Sequence, residues 1–203
     1  MKIENFNLAT KKQTFFKDVN FYFEDCQLNF VLGKRQSGKT ELLDQIAQNE
    51  LFDNLIGFPK TPEIAYLAQQ NDFYVNLKVK EILNFIRQLD GNKNFTPPLR
   101  ILQLEEQKFL ELSAVEKKLV IIYLNIMVEK ELYLFDEPEM GLDLASSQEV
   151  FSWIKGLVKL DKTVIVATNK LDNISDIDNV NYIKTCDEIL VDSYLKIKSR
   201  MAF

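Results

Sequence analysis

Residues 28–46 read LNFVLGKRQSGKTELLDQI. An apolar run from Leu28 to Leu32 ends at Gly33, and beyond Lys39 the apolar residues Leu42, Leu43 and Ile46 fall on one helical face. A strand, a glycine turn and a helix therefore follow one another directly. Between strand and helix, GKRQSGKT at residues 33–40 satisfies the pattern GxxxxGK[ST] in the context its chemistry needs. Gly33 and Gly38 let the loop wrap an anion, so that backbone N–H groups contributed along Lys34, Arg35, Gln36 and Ser37, and the helix N-terminus behind them, point at it. Lys39 then supplies a point charge to the β- and γ-phosphates of a nucleotide, the Thr40 hydroxyl a ligand for Mg²⁺, and the Ser37 hydroxyl one more donor.

A phosphate loop needs a carboxylate at the end of a neighbouring strand. LYLFDEP, residues 132–138, offers a continuously apolar segment of the kind buried on both faces of a parallel sheet, closed by Asp136 and Glu137. Read alone, the two acids serve equally well as caps of the turn before Pro138. Read with the loop upstream, Asp136 holds the metal while Glu137 faces the γ-phosphate and polarises a water. The chain has no histidine. A Ser/His/Asp triad, a histidine zinc site and an imidazole base are thereby excluded, and general-base work falls to a carboxylate, with Glu137 the best placed.

The rest of the chain surrounds these motifs with alternating elements. Val19, Phe21 and Phe23 alternate with polar residues as in a half-buried strand, and a short strand is expected at residues 63–67. Val79, Ile82, Leu83, Ile86 and Leu89 keep helical spacing until Gly91 and the Pro97–Pro98 pair interrupt it. Ser113 and Glu116 form a capping box before a helix striped by Val120, Leu124 and Met127. Residues 144–160 read as a helix, 164–167 as a buried strand, and the chain from Tyr182 onward as shorter strand pieces. The pattern predicts an α/β fold with a mainly parallel sheet and an inserted helical lobe.

The 203 residues suit one domain. Lys plus Arg at 25 against Asp plus Glu at 30, net −5, gives no basic footprint for a nucleic-acid partner. Cys26 and Cys186 lie too far apart for a metal knuckle and are too few for a disulfide framework, which fits a reducing cytosol. The amino-terminal residues lack a signal-peptide core, and no run of about 18 apolar residues suggests a membrane helix.

Taken in order, these motifs resemble the ATP-binding-cassette (ABC) ATPase family over essentially the whole chain. YLAQQNDFYVNLKV, residues 66–79, is similar to the family's Q-loop segment, with Gln69 as its glutamine and Gln70 as the alternative. LSAVE at residues 112–116 resembles the signature LSGGQ, keeping Leu112 and Ser113. DEPEMGLD, residues 136–143, matches the stretch from the metal aspartate and catalytic glutamate to the D-loop, ending at Asp143. TVIVATNKLD, from Thr163, has the form of the switch segment, with Asn169 in place of its histidine. Near the expected adenine-stacking loop stand Ala9, Thr10 and Lys11; Phe6, Phe15 and Phe16 are assigned to strands instead.

The resemblance implies a P-loop NTPase core spanning residues 1–203, with a helical lobe over about 73–130. It implies ATP and Mg²⁺ as cofactors, Glu137, Gln69 and Asn169 at the reaction centre, and Thr40, Gln69 and Asp136 at the metal. Two cassettes would close head to tail, Ser113 and Asp143 of one facing the nucleotide of the other. The leading expectation is an ATP-binding subunit working with separate transmembrane subunits from the cytoplasmic face of the membrane. The lobe, roughly residues 73–107, would dock them, with Phe73, Tyr74 and Phe85 assigned rather to the lobe's core. A soluble cassette ATPase driving a switch elsewhere, or a module that ATP locks into a dimer with marginal hydrolysis, is the alternative. A small-molecule kinase leaves DEPEMGLD unexplained. Ala114 and Val115 restrict approach to the signature helix, and Asn169 is shorter than imidazole and carries no proton, so slow hydrolysis is expected.

Overall fold

The computed structural model describes residues 1–49, 53–69, 75–90 and 96–201. Gln70, Phe73, Tyr74 and Gly91 of the sequence reading lie outside them. Among the described residues the strands form two sheets. An antiparallel sheet pairs β1 (Lys2–Ala9) with β2 (Thr14–Tyr22) on one edge and with the short β4 (Leu55–Ile56) on the other. The larger sheet has the order β5 (Ile64–Leu67), β6 (Leu132–Asp136), β7 (Thr163–Thr168), β3 (Leu28–Gly33), β8 (Asn179–Ile183), β9 (Ile189–Ser193). Its strands run parallel except at the β8–β9 edge.

The central strands β3, β6 and β7 are buried along their whole length, as two covered faces require. Their side chains divide by period two between two cores. Phe30, Tyr133, Phe135, Val164 and Val166 pack on the side of the longer helices α4 (Ala114–Met127) and α5 (Leu144–Val158). Val31, Leu132, Leu134, Ile165 and Ala167 share the opposite core with Leu42, Leu43 and Ile46 of α1 (Lys39–Ala47) and with Phe6, Phe16 and Phe21 of the antiparallel sheet. Helix α1 is thus held between the two sheets, and its N-terminus lies at the carboxyl ends of the parallel strands.

The capping box forms as read: Ser113 accepts from the Glu116 backbone N–H and donates its own N–H to the Glu116 carboxylate. Helix α2 (Val79–Asp90) buries Val79, Ile82 and Leu83. Phe85, assigned to the lobe's core, is 56% exposed, because one residue past Asn84 the helix has turned away from that face. The amino-terminal end carries one strand more than expected, since β1 alternates weakly and its Asn5 bulges at φ 50°. At the other end, residues 194–201 are not a strand piece. Tyr194–Met201 is helix α6, seated on Tyr194 and Ile197, whose i and i+3 spacing is helical. A short helix α3 (Leu99–Leu102) follows the proline pair. No helix among the described residues is long and apolar enough to cross a membrane.

Phe30 stacks on Phe151 of α5 at 6.2 Å between ring centroids, with no solvent exposure. Phe30→Ala is expected to cost about 3 to 5 kcal/mol in urea unfolding, the loss typical of a large side chain deleted from a core.

Candidate functional site

The loop between β3 and α1 is shaped by contacts on both sides. A Cβ on Gly33 would stand 2.6 Å from Ser37 Oγ. Gly38 sits at φ +94°, where a Cβ would be strained and would also come within 2.9 Å of the Phe16 ring. Gln36 holds φ +60° without being glycine, and its carbonyl accepts from Gln13 Nε2 at 3.2 Å. The hairpin that carries Phe16 and Gln13 therefore braces the loop from behind. Ser37 Oγ is buried with no partner among the described residues, leaving a donor free for a ligand.

Lys39 is buried, its Nζ donating to the carbonyls of Gly33 (3.2 Å) and Lys34 (2.9 Å) and lying 3.7 Å from Glu137 Oε1. Burial pulls its pKa below the ordinary lysine value, and Glu137 and Asp136 oppose that shift. Thr40 Oγ1 donates to Asp136 Oδ2 at 2.6 Å, while Asp136 Oδ1 is buried and has no partner among the described residues. An unsatisfied carboxylate oxygen beside a hydroxyl oxygen is a donor set suited to a small hard cation such as Mg²⁺, which completes its shell with water and phosphate oxygens. The register places Asp136 opposite Ala167, so the carboxylate emerges at the end of β6 beside the loop.

Glu137 turns the other way. Its backbone takes the left-handed φ of 46°, its N–H donates to the Ala167 carbonyl at 2.9 Å, and its carboxylate enters the cleft. Gln69 Nε2 donates to Oε2 at 3.2 Å and Asn169 Nδ2 to Oε1 at 3.1 Å. The loop residues from Arg35 to Thr40, with Gln69, Glu137 and Met140, thus line one cleft of about 490 Å³, and Asp136 and Asn169 are joined to it through their bonds to Thr40 and Glu137.

Ser113 and Asp143 are not drawn into it. Both are exposed and serve as helix N-caps, Asp143 accepting from the Ser146 N–H at 2.7 Å. Phe6, Phe15 and Phe16 are buried in the core, as their assignment to strands requires, and Ala9, Thr10 and Lys11 are exposed.

Sequence reasoning missed three neighbours of Glu137. Lys118 on α4 donates to the carbonyls of Glu137 (3.3 Å) and Met140 (2.5 Å), and burial lowers its pKa. Glu139 is buried and accepts from the Thr168 hydroxyl. Lys118 follows Lys117 directly in α4, so the sequence does not tell which of the two turns inward; nothing in DEPEMGLD distinguishes a buried Glu139 from a solvated one.

No protein-family model matches the chain. Among curated proteins it is 26% identical over 211 residues to the ABC transporter ATP-binding protein YtrB of Bacillus subtilis, covering 92% of this chain and 71% of that protein. It is 28% identical over 187 residues to the energy-coupling factor transporter ATP-binding protein EcfA1 of Thermotoga maritima, covering 82% and 71%. Over most of its length the chain is thus similar to ATP-binding proteins of ABC transporters. Its fold agrees: a solved ATP-binding subunit of an ABC transporter superimposes with a TM-score of 0.79 at 17% identity, covering 98% of this chain and 92% of that one.

The protein keeps Asp136 buried at a cost. Burial, reinforced by Glu137, raises its pKa despite the Thr40 hydrogen bond. A carboxyl whose pKa is higher folded than unfolded contributes stability that is complete below about pH 4 and is lost as pH rises through the folded value. Asp136→Asn in the ligand-free protein is therefore expected to raise stability at pH 7 by about 1 kcal/mol. The gain should shrink as urea midpoints are followed down towards pH 4. An unchanged midpoint at pH 7 would contradict it.

Proposed function

We propose that the chain is the ATP-binding subunit of an ABC transporter, binding and hydrolysing Mg·ATP to drive a substrate through separate membrane subunits. The observation that carries the chemical half of this reading is Glu137, held beside buried Lys39 with each carboxylate oxygen engaged by an amide, from Gln69 and from Asn169. The transport half is supported by the relatives, which are named as ATP-binding proteins of ABC transporters. Nothing specific favours the soluble switch over it.

The loop's N–H groups, Ser37 and Lys39 bind and orient the triphosphate. Mg²⁺, when bound, would neutralise phosphate charge between Thr40 and Asp136, with Gln69 near it. Glu137 orients the attacking water and receives its proton, and Gln69 and Asn169 fix the carboxylate's direction while Asn169 offers an N–H to the γ-phosphate. Residues 1–203 act as one cassette with a helical lobe over about 73–130, peripheral to the cytoplasmic face of the membrane. A second cassette, identical or not, would bring Ser113 and Asp143 to this nucleotide.

Two features slow turnover. Asn169 cannot take up a proton as imidazole does. At the signature helix, Glu116 draws the Ser113 hydroxyl to itself at 2.6 Å, and that contact lowers the Glu116 pKa, so a carboxylate stands where an incoming γ-phosphate would need donors. Loss of one such transition-state donor costs about 10²-fold to 10³-fold in rate.

Lys39→Ala should abolish ATP binding in titration calorimetry; undiminished affinity would refute the phosphate site. Steady-state turnover should fall about 10²-fold short of cassettes with a complete signature and a switch histidine, and Glu137→Gln should remove what remains while sparing ATP affinity. Turnover at ordinary cassette rates, or turnover indifferent to Glu137→Gln, would contradict the mechanism. Affinity purification from mild detergent extract is expected to recover a membrane-spanning partner. Recovery of a cytosolic complex alone would overturn the transport role.

A further inference from the structure

Glu139 is the least expected group near the cleft. It is 2% exposed, one carboxylate oxygen accepts from the Thr168 hydroxyl, and the other, Oε2, has no partner among the described residues. An apolar side chain would fill the same space without leaving a polar atom unsatisfied, so packing does not account for an acid here.

Its connections run to the reaction centre. The Thr168 hydroxyl has a single proton, given to Glu139, and its oxygen accepts from the Lys170 backbone N–H at 3.0 Å. That bond closes the turn whose middle residue is Asn169, the residue that donates to Glu137 Oε1. On the other side Glu139 belongs to the turn after β6, which is closed by the Met140 N–H on the Glu137 carbonyl at 3.0 Å and pinned to α4 by Lys118. Freed from Glu139, the Thr168 hydroxyl can rotate to donate to a local carbonyl, and its oxygen no longer presents a fixed lone pair to Lys170.

We infer that Glu139 is a positioning residue: through the Thr168 hydroxyl it fixes the turn at the end of β7 and so aims the Asn169 amide at Glu137. This joins the segment after β6 to the segment after β7 by a side-chain contact, in addition to the sheet's own bond from the Glu137 N–H to the Ala167 carbonyl. The catalytic consequence rests on the roles proposed above for Glu137 and Asn169; the geometric claim does not.

The test uses the full chain and two readouts. Hydrogen exchange of the Lys170 amide, measured by NMR, is expected to quicken about tenfold in Glu139→Ala, and Glu139→Gln, which keeps an accepting oxygen, should recover most of the protection. ATPase turnover should fall about tenfold in Glu139→Ala and in Thr168→Val, with KM for ATP within about twofold, and Thr168→Ser should recover most of the loss. In an Asn169→Ala background, Glu139→Ala should cause no further fall, since the amide it aims is gone. Unchanged Lys170 exchange in Glu139→Ala overturns the positioning role whatever the activity. An equal fall in kcat with and without Asn169 also overturns it, marking Glu139 as a general structural support. Should Glu139→Ala fail to fold, Glu139→Met, close in length and without an accepting oxygen, carries both measurements against Glu139→Gln. If Glu137→Gln leaves turnover unchanged, the function proposed for Glu137 fails, while Lys170 exchange still decides the role of Glu139.

Discussion

Lys39, Asp136 and Glu137 are charged side chains held largely out of water around one cleft, and the rest of the structure depends on keeping them there. Each is unfavourable to bury by itself. Lys39 is made tolerable by two loop carbonyls and Glu137, Asp136 by Thr40, and Glu137 by Gln69 and Asn169. These partners come from β3, α1, β6 and the segments following β5 and β7, so the cluster exists only when the parallel sheet is in register. What remains unsatisfied, Asp136 Oδ1 and Ser37 Oγ, is the part a metal-bound phosphate would complete.

The scaffold meets this demand from two directions. On one side the antiparallel sheet sets Phe16 against Gly38 and Gln13 against the Gln36 carbonyl, giving the loop a wall that a larger residue at 38 would strike. On the other, α4 reaches Glu137 and Met140 through Lys118, so the helix that begins at Ser113 is tied to the backbone around Glu137. A shift of that helix would be felt at Glu137 through Lys118. The contact is a short mechanical route between α4 and Glu137.

Much of this was legible in the residues because it rests on local chemistry. The loop at 33–40 needs glycines, a lysine and a hydroxyl in fixed order, and the strand ending in Asp136 and Glu137 is apolar throughout because both its faces are covered. The Ser113–Glu116 capping box is equally local and formed as read. Errors came where pattern was weak or tertiary contact decided: β1 with its bulge, the helix at Tyr194–Met201 taken for a strand piece, and Phe85, which stands exposed on α2.

The amino-acid sequence alone determined the fold class, the phosphate loop, and the pairing of that loop with an acidic strand end, since each is specified by residue type and spacing along a single segment. Only the tertiary structure decided that Gln69 and Asn169, separated by a hundred positions, meet on one carboxylate, that Ser113 and Asp143 stay outside the chain's own cleft, and that Lys118, Glu139 and Thr168 surround Glu137. Those contacts are made between strands and helices distant in the chain. A side chain's partners there depend on sheet register and helix placement, which no local spacing encodes.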